Sequence, residues 1–192
     1  MVKIKLTKTP AMIFSRKLVG LALIQRIEKD LEKLHSIEGY DVSKLPQKKF
    51  YLYQAYVVHL LAGWQDFHKE LVTYAFAELK KNSENSAINS IAEKRVSELL
   101  VSFNTPSTQN IDSLYAKALG IDKVSKAWFF DGVSNEVAKQ LLDEVLKSRH
   151  QIAHKGFTKQ SLTYDSNFEI MEVLYNMACK TQDYVFASLN VD

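Results

Sequence analysis

The feature that most constrains this chain is a seam of apolar residues in its second quarter. Tyr53, Val57, Leu60, Trp64, Phe67, Leu71 and Tyr74 recur at alternating steps of four and three residues. A strand turns its side chains to opposite faces at every residue and cannot gather that set on one side. A helix with about 3.6 residues per turn can. The spacing predicts one long helix, continuing to about Lys81 and stopping at the polar run Asn82 to Ser86. A helix with so long an apolar stripe needs other helices around it.

Composition agrees with helices. Six Gly and three Pro are few for a protein built on many tight turns, and 46% hydrophobic residues supply a real core. The net charge of +3, from 25 basic and 22 acidic residues, permits a polyanionic partner without arguing for one. Any nucleic-acid contact must then come from a local patch. The single cysteine, Cys179, excludes an intramolecular disulfide and a cysteine-rich zinc module. Its apolar surroundings predict a buried, inert thiol. No stretch approaches the roughly 20 apolar residues of a membrane span. Arg16 and Lys17 interrupt the apolar run that a secretory leader would need. The expectation is a cytoplasmic protein with no membrane partner.

The remaining segments read as further helices. Residues 1–12 alternate Lys and apolar residues and fit an extended arm. A first helix is expected from about Ser15 to Ile37, and a loop over 39–47. A third helix spans about Ala87 to Val101. Thr105-Pro106 reads as an N-cap with proline at the first helical position, opening a short helix that ends at Gly120. The connector 121–133, with Trp128, Phe129 and Phe130, is expected to pack on the core. Ser134 caps a helix that reaches Lys155 and stops at Gly156. Ser166 to Glu169 reads as a capping box for a last helix carrying Ile170, Leu174, Met177, Thr181 and Tyr184. The sum is an all-α, up-and-down bundle of five or six helices in one domain, residues 1–192.

The chemistry concentrates in the helix ending at Lys155. Ala138, Leu141, Leu142, Val145, Leu146, Ile152 and Ala153 fall on one face, and Arg149 falls within that arc. An unpaired guanidinium there is costly, so Arg149 needs a carboxylate, an interface or a ligand. His150 and His154, four residues apart, share a side of the helix next to the arc. Two histidines at this spacing are also a weak zinc signal, but no nearby acid completes a zinc-protease motif, and no metal or cofactor is expected. His35, His59 and His68 read as ordinary surface or core histidines. Asp66 and Glu70 read as a solvated pair, and Tyr51, Tyr53, Tyr56, Trp64 and Phe67 mostly as seam residues rather than a base-stacking platform. The chain has no phosphate-binding Gly-rich loop, dinucleotide fingerprint or nucleophile elbow.

The hexad Arg149-His150-Gln151-Ile152-Ala153-His154 resembles the signature of HEPN (higher eukaryote and prokaryote nucleotide-binding) domains: Arg, a polar residue, a short spacer and His. A wider stretch resembles the RiboL-PSP branch of that superfamily. It includes Phe103-Asn104-Thr105-Pro106-Ser107, the Leu119-Gly120-Ile121 turn, Trp128, and Trp64 with Asp66. The likeness covers about residues 45–190. His150 stands where Asn is more common in this branch, within the permitted polar set. The resemblance implies a helical bundle that dimerises, with two motifs meeting in a shared cleft that cuts RNA without metal. It also suggests a toxin or antiviral defence effector, with an antitoxin protein as a partner.

These residue types suit that chemistry. RNA carries its own nucleophile, the 2′-hydroxyl, beside the scissile phosphate. The reaction needs a base for that proton and an acid for the leaving 5′-oxygen, and histidine titrates near neutrality. Negative charge accumulates on the phosphorane, which suits the donor fork of arginine. The assignment is His154 as the main acid/base, Arg149 as phosphate binder and transition-state stabiliser, and His150 as a positioning or auxiliary proton-transfer group. Two other readings stay open on the sequence: a non-catalytic module that binds nucleotides or a partner protein, and a structural bundle with Arg149 in a buried ion pair.

Overall fold

The computed structural model describes residues 8–190 apart from 38 and 82, and the side chain at 25 is likewise outside the description. It is an all-α bundle of six helices: α1 Pro10–His35, α2 Leu45–Lys81, α3 Ser86–Ser102, α4 Thr108–Leu119, α5 Asn135–Lys155 and α6 Tyr164–Leu189. Short 3-10 turns precede α2 and α5, at Val42–Lys44 and Val124–Ala127.

The seam behaves as its spacing demands. Val57, Leu60, Trp64, Phe67 and Leu71 are buried, with Tyr53 and Tyr74 half-buried at its two ends. Helices α1, α4, α5 and α6 all pack on α2, so this one helix is the axis of the core. Gly63 marks the close approach of α1, since a Cβ there would stand 3.3 Å from the Phe14 ring. Phe14 lies against Trp64 and Phe67, at centroid distances of 6.1 and 5.6 Å.

Helix starts are where sequence and structure part. The first helix begins at Pro10, not near Ser15, because Thr9 caps it and proline fits the first turn. Residues 10–12 are therefore helical rather than part of an extended arm; residues 1–7 of that arm lie outside the described residues. The cap of α4 is Ser107, not Thr105: its Oγ accepts from the Asn110 N–H at 3.3 Å. Asn110 Nδ2 in turn donates to the Thr105 carbonyl at 2.9 Å, holding Thr105-Pro106 as a lead-in with Pro106 buried. The box that opens α6 is Thr163 with Ser166, three residues earlier than expected. Serine at the third position closes it as a Glu would.

Other elements match their signals. Ser134 caps α5, and Gly120 and Gly156 end α4 and α5 in the left-handed conformation that glycine adopts without strain. The connector packs as expected through Trp128, whose Nε1 donates to Thr181 Oγ1 at 2.8 Å, while Phe130 is half-buried and Phe129 faces solvent. Asp66 and Glu70 are not a merely solvated pair, since both engage Lys17 and join α1 to α2. Cys179 is half-buried rather than buried, and desolvation pushes its thiol pKa up. Among the described residues no helix is long and apolar enough to cross a membrane.

Candidate active site

The motif helix is held rigidly at its beginning. Asn135 Nδ2 donates to the Ser125 carbonyl at 2.6 Å, and Ser125 is itself bound through its N–H and hydroxyl to Asp112 of α4. From there the buried line of α5 runs through Ala138, Leu142, Val145 and Ser148. The last turn leaves the core, and Ala153, His154 and Lys155 are exposed. Ala153 is thus exposed and not part of the packed face.

Arg149 is half-buried on the flank of this line, not buried within it. No ion pair among the described residues engages its guanidinium. A structural ion pair therefore does not account for it. His150 and His154 are exposed on the same side, one turn apart, with ring centroids 4.3 Å from each other at 50°. Arg149 and His150 form one wall of a recess of about 130 Å³. Leu61, Ala62 and Gln65 of α2 form another wall, and Thr105-Pro106 closes the side. Gln65 Nε2 donates to the Phe103 carbonyl at 2.9 Å, which ties that loop to α2. His154 stands beside His150 but does not line the recess.

The opposite side of the same turn is clamped by residues that sequence reasoning missed. Gln151 Oε1 accepts from Thr158 Oγ1 at 3.0 Å and from the Lys159 N–H at 3.2 Å. Ser148 is hydrogen-bonded to Gln160. Chain reversal at Gly156 brings residues 158–160 back along the helix, so Ser148, just before the motif, and Gln151, inside it, meet them. Their three-residue spacing was the only available signal. One face of the turn is thereby fixed to the following loop, and the other is left to Arg149, His150 and His154.

The charge on this turn is one-sided. From Val145 to Gln160 the chain carries Lys147, Arg149, Lys155 and Lys159 and no acid. Cations suit this position, because the carbonyl end of a helix carries partial negative charge. An anion reaching the motif meets positive charge without a competing carboxylate on the same segment. Among the described residues no group of three or more His, Cys, Asp or Glu is placed to hold a metal ion.

The other histidines differ in kind. His68 is fully buried in an aromatic cage, 4.2 Å from the Trp64 ring centroid and 5.0 Å from that of Phe67. Its Nδ1 lies 3.0 Å from the Tyr115 hydroxyl, and desolvation pushes its pKa down to about 3. It is neutral throughout the physiological range and has no route to a substrate. His35 is buried at the end of α1, and His59 is exposed on α2.

A family model described as RiboL-PSP-HEPN matches residues 22–186, reaching further toward the N-terminus than the likeness from about residue 45 and taking in most of α1. No curated relative and no solved structure matches the chain. The matched span includes α2, α3, α4 and α5 whole, nearly all of α6, the recess and the complete Arg149-to-His154 motif. The chain belongs to the RiboL-PSP-HEPN family of the HEPN superfamily, and at the coarse level it is an RNA-related, nuclease-type module.

Proposed function

We propose that the protein is a metal-independent endoribonuclease whose active site is Arg149, His150 and His154. One observation carries this reading: an arginine with no ion-pair partner among the described residues and two adjacent histidines are presented together on one helix end. The 2′-hydroxyl of the substrate attacks its neighbouring phosphorus, losing its proton to a base, and the 5′-oxygen leaves with a proton from an acid. His154 is the main acid/base, and His150 positions it or relays a proton. Arg149 holds the phosphate and the charge that develops on it. The products are a 2′,3′-cyclic phosphate and a 5′-hydroxyl.

The small volume of the recess favours a shared site. About 130 Å³ is well below the roughly 300–1,000 Å³ of ordinary ligand clefts. A single chain offers one wall of a site, and a second copy related by a two-fold axis would supply the other. The protein is accordingly read as a homodimer acting on RNA in the cytoplasm. A toxin or defence role follows from the family likeness, with an antitoxin protein as the partner that restrains it.

The test is incubation of purified protein with labelled RNA, with and without EDTA, beside His154→Ala. Cleavage that survives the chelator and disappears in the variant is expected. Activity that vanishes with EDTA and returns with zinc would recast His150 and His154 as ligands. Light scattering on the active protein should give a dimer, and an active stable monomer would remove the shared cleft. Absence of RNA cleavage together with tight RNA binding would favour the non-catalytic module.

A further inference from the structure

Helix α1 is apolar on two sides. Ala11, Phe14, Leu18 and Leu21 are buried in the core. On the opposite side Met12, Val19, Leu23, Ile27 and Leu34 face solvent, with Val19 71%, Leu23 57% and Ile27 47% exposed. At about 100° per residue these five, together with Arg16 and Asp30, fall within an arc of about 80°. A single exposed apolar residue is ordinary, but a line of them about 33 Å long is the mark of an interaction surface.

The stripe is symmetric about Leu23. Read outward, the steps are four, three and four residues in both directions: Ile27, Asp30 and Leu34 one way, Val19, Arg16 and Met12 the other. Each apolar residue is matched by an apolar one, and the acid by a base. Neither Arg16 nor Asp30 enters an ion pair among the described residues. Along one helix they stand about 21 Å apart, well beyond the screening length of roughly 8 Å at physiological salt, so they do not satisfy each other within a chain. A two-fold axis demands this kind of order, because residue i must meet j wherever j meets i. Two antiparallel copies of α1 crossing at Leu23 set Leu23 on Leu23 and Val19 of each copy level with Ile27 of the other. The same register sets Met12 level with Leu34 and brings Arg16 to Asp30 twice.

We propose that the outer face of α1 is an interface with a second copy of this chain, the two helices pairing antiparallel about a two-fold axis at Leu23. Val19, Leu23 and Ile27 form its apolar centre, and an Arg16–Asp30 pair at each end fixes the register. None of the seven residues lines the recess at Arg149, so this contact is separate from the shared cleft and does not rest on the ribonuclease reading. One helix per chain is a small interface, so the association depends on concentration. A chain that uses both contacts assembles beyond a dimer.

The experiment is sedimentation equilibrium of the full chain from about 1 µM to about 1 mM. The wild type is compared with Leu23→Glu, Arg16→Asp, Asp30→Arg, the double reversal Arg16→Asp/Asp30→Arg and, as an exposed α3 control, Lys94→Asp, each checked for an unchanged melting curve. Leu23→Glu sets two carboxylates against each other on the axis, and its limiting mass at high concentration should be half that of the wild type. Either single reversal opposes like charges at both ends and should raise the dissociation constant at least about ten-fold. The double reversal should return it to the wild-type value, a rescue that only contact between chains can give. Lys94→Asp should associate as the wild type does. Equal limiting masses for the wild type and Leu23→Glu, a monomeric wild type included, would overturn the interface. A double reversal that stays as weak as the single ones would overturn the antiparallel pairing. A monomeric wild type that sediments with phosphatidylcholine vesicles, where Leu23→Glu does not, would give the face to a membrane surface and overturn the proposal as well.

Discussion

His68 and the His150–His154 pair are the same residue type in opposite physical situations. His68 sits on the axial helix among aromatic rings, without solvent, its pKa pushed down to about 3 by burial. His150 and His154 sit on the last turn of α5, exposed, with cationic neighbours on the same segment. A histidine serves as a proton carrier only if protons and substrate can reach it. The difference lies in position, not residue type: one region is assembled for packing, the other for access. Mutations in the two regions should separate activity from stability.

The largest effect is expected at His154. His154→Ala should lower the RNA-cleavage rate by about 10²–10⁴-fold, the range for loss of a positioned acid or base. Its melting temperature should stay close to the wild type, since the side chain is exposed. The counterpart is His68→Ala, which should destabilise the fold by about 2–5 kcal/mol through the cavity it leaves. A His68→Ala protein that melts normally and loses cleavage would erase the contrast.

The pH dependence of stability sharpens the same comparison. His68 in the folded state binds its proton far more weakly than in the unfolded chain, where its pKa is about 6.5. The unfolded state therefore takes up a proton first as pH falls. The contribution is fully present above about pH 6.5 and is lost progressively toward pH 3. Denaturation curves should show about 3 kcal/mol lost between pH 6.5 and pH 4 from this group, at about 1.4 kcal/mol per unit. In His68→Phe this part of the slope should be missing, whereas His154→Ala should retain it.

Arg149 tests the exposed region from another side. Arg149→Lys keeps the charge but loses the planar fork, and activity should fall by about 10²-fold. With no acid paired to Arg149 among the described residues, melting should barely change. A loss of several kcal/mol in Arg149→Ala would instead reveal a buried partner and defeat the catalytic assignment. The smallest effect is expected at Gln151. Gln151→Ala releases the loop at Thr158 and Lys159 and should cost about 1–3 kcal/mol or less, with a several-fold fall in rate. Paired rate and melting measurements would show whether the clamp acts on the presentation of the motif or only on folding.

Much of this was legible in the chain. The seam on α2, the glycine stops and the Ser134 cap are local signals, and local signals survive folding unchanged. The helix starts were less legible, because several Ser, Thr and Pro residues near each start could serve as caps. Ser107 was selected over Thr105 by the hydrogen bonds that the folded loop makes available. The Arg149-to-His154 motif stood out because a cation and two histidines interrupt an apolar pattern. Ser148 and Gln151 did not, since their partners enter only after the chain reverses at Gly156.

By itself the sequence determined the all-α class, the axial helix, the location of the motif and, through the likeness now matched over residues 22–186, the family. These depend on periodicity and residue type, which are properties of neighbours along the chain. Tertiary structure alone decided that Arg149 is half-buried with no ion pair among the described residues, that His68 is sealed off and His154 is not, and that Ala62 and Gln65 border both the motif recess and a groove between α1 and α2. Burial, the pKa shift of His68 and the shape of a recess depend on residues distant in sequence. They come into being only when α1, α5 and the loop at Pro106 pack against α2.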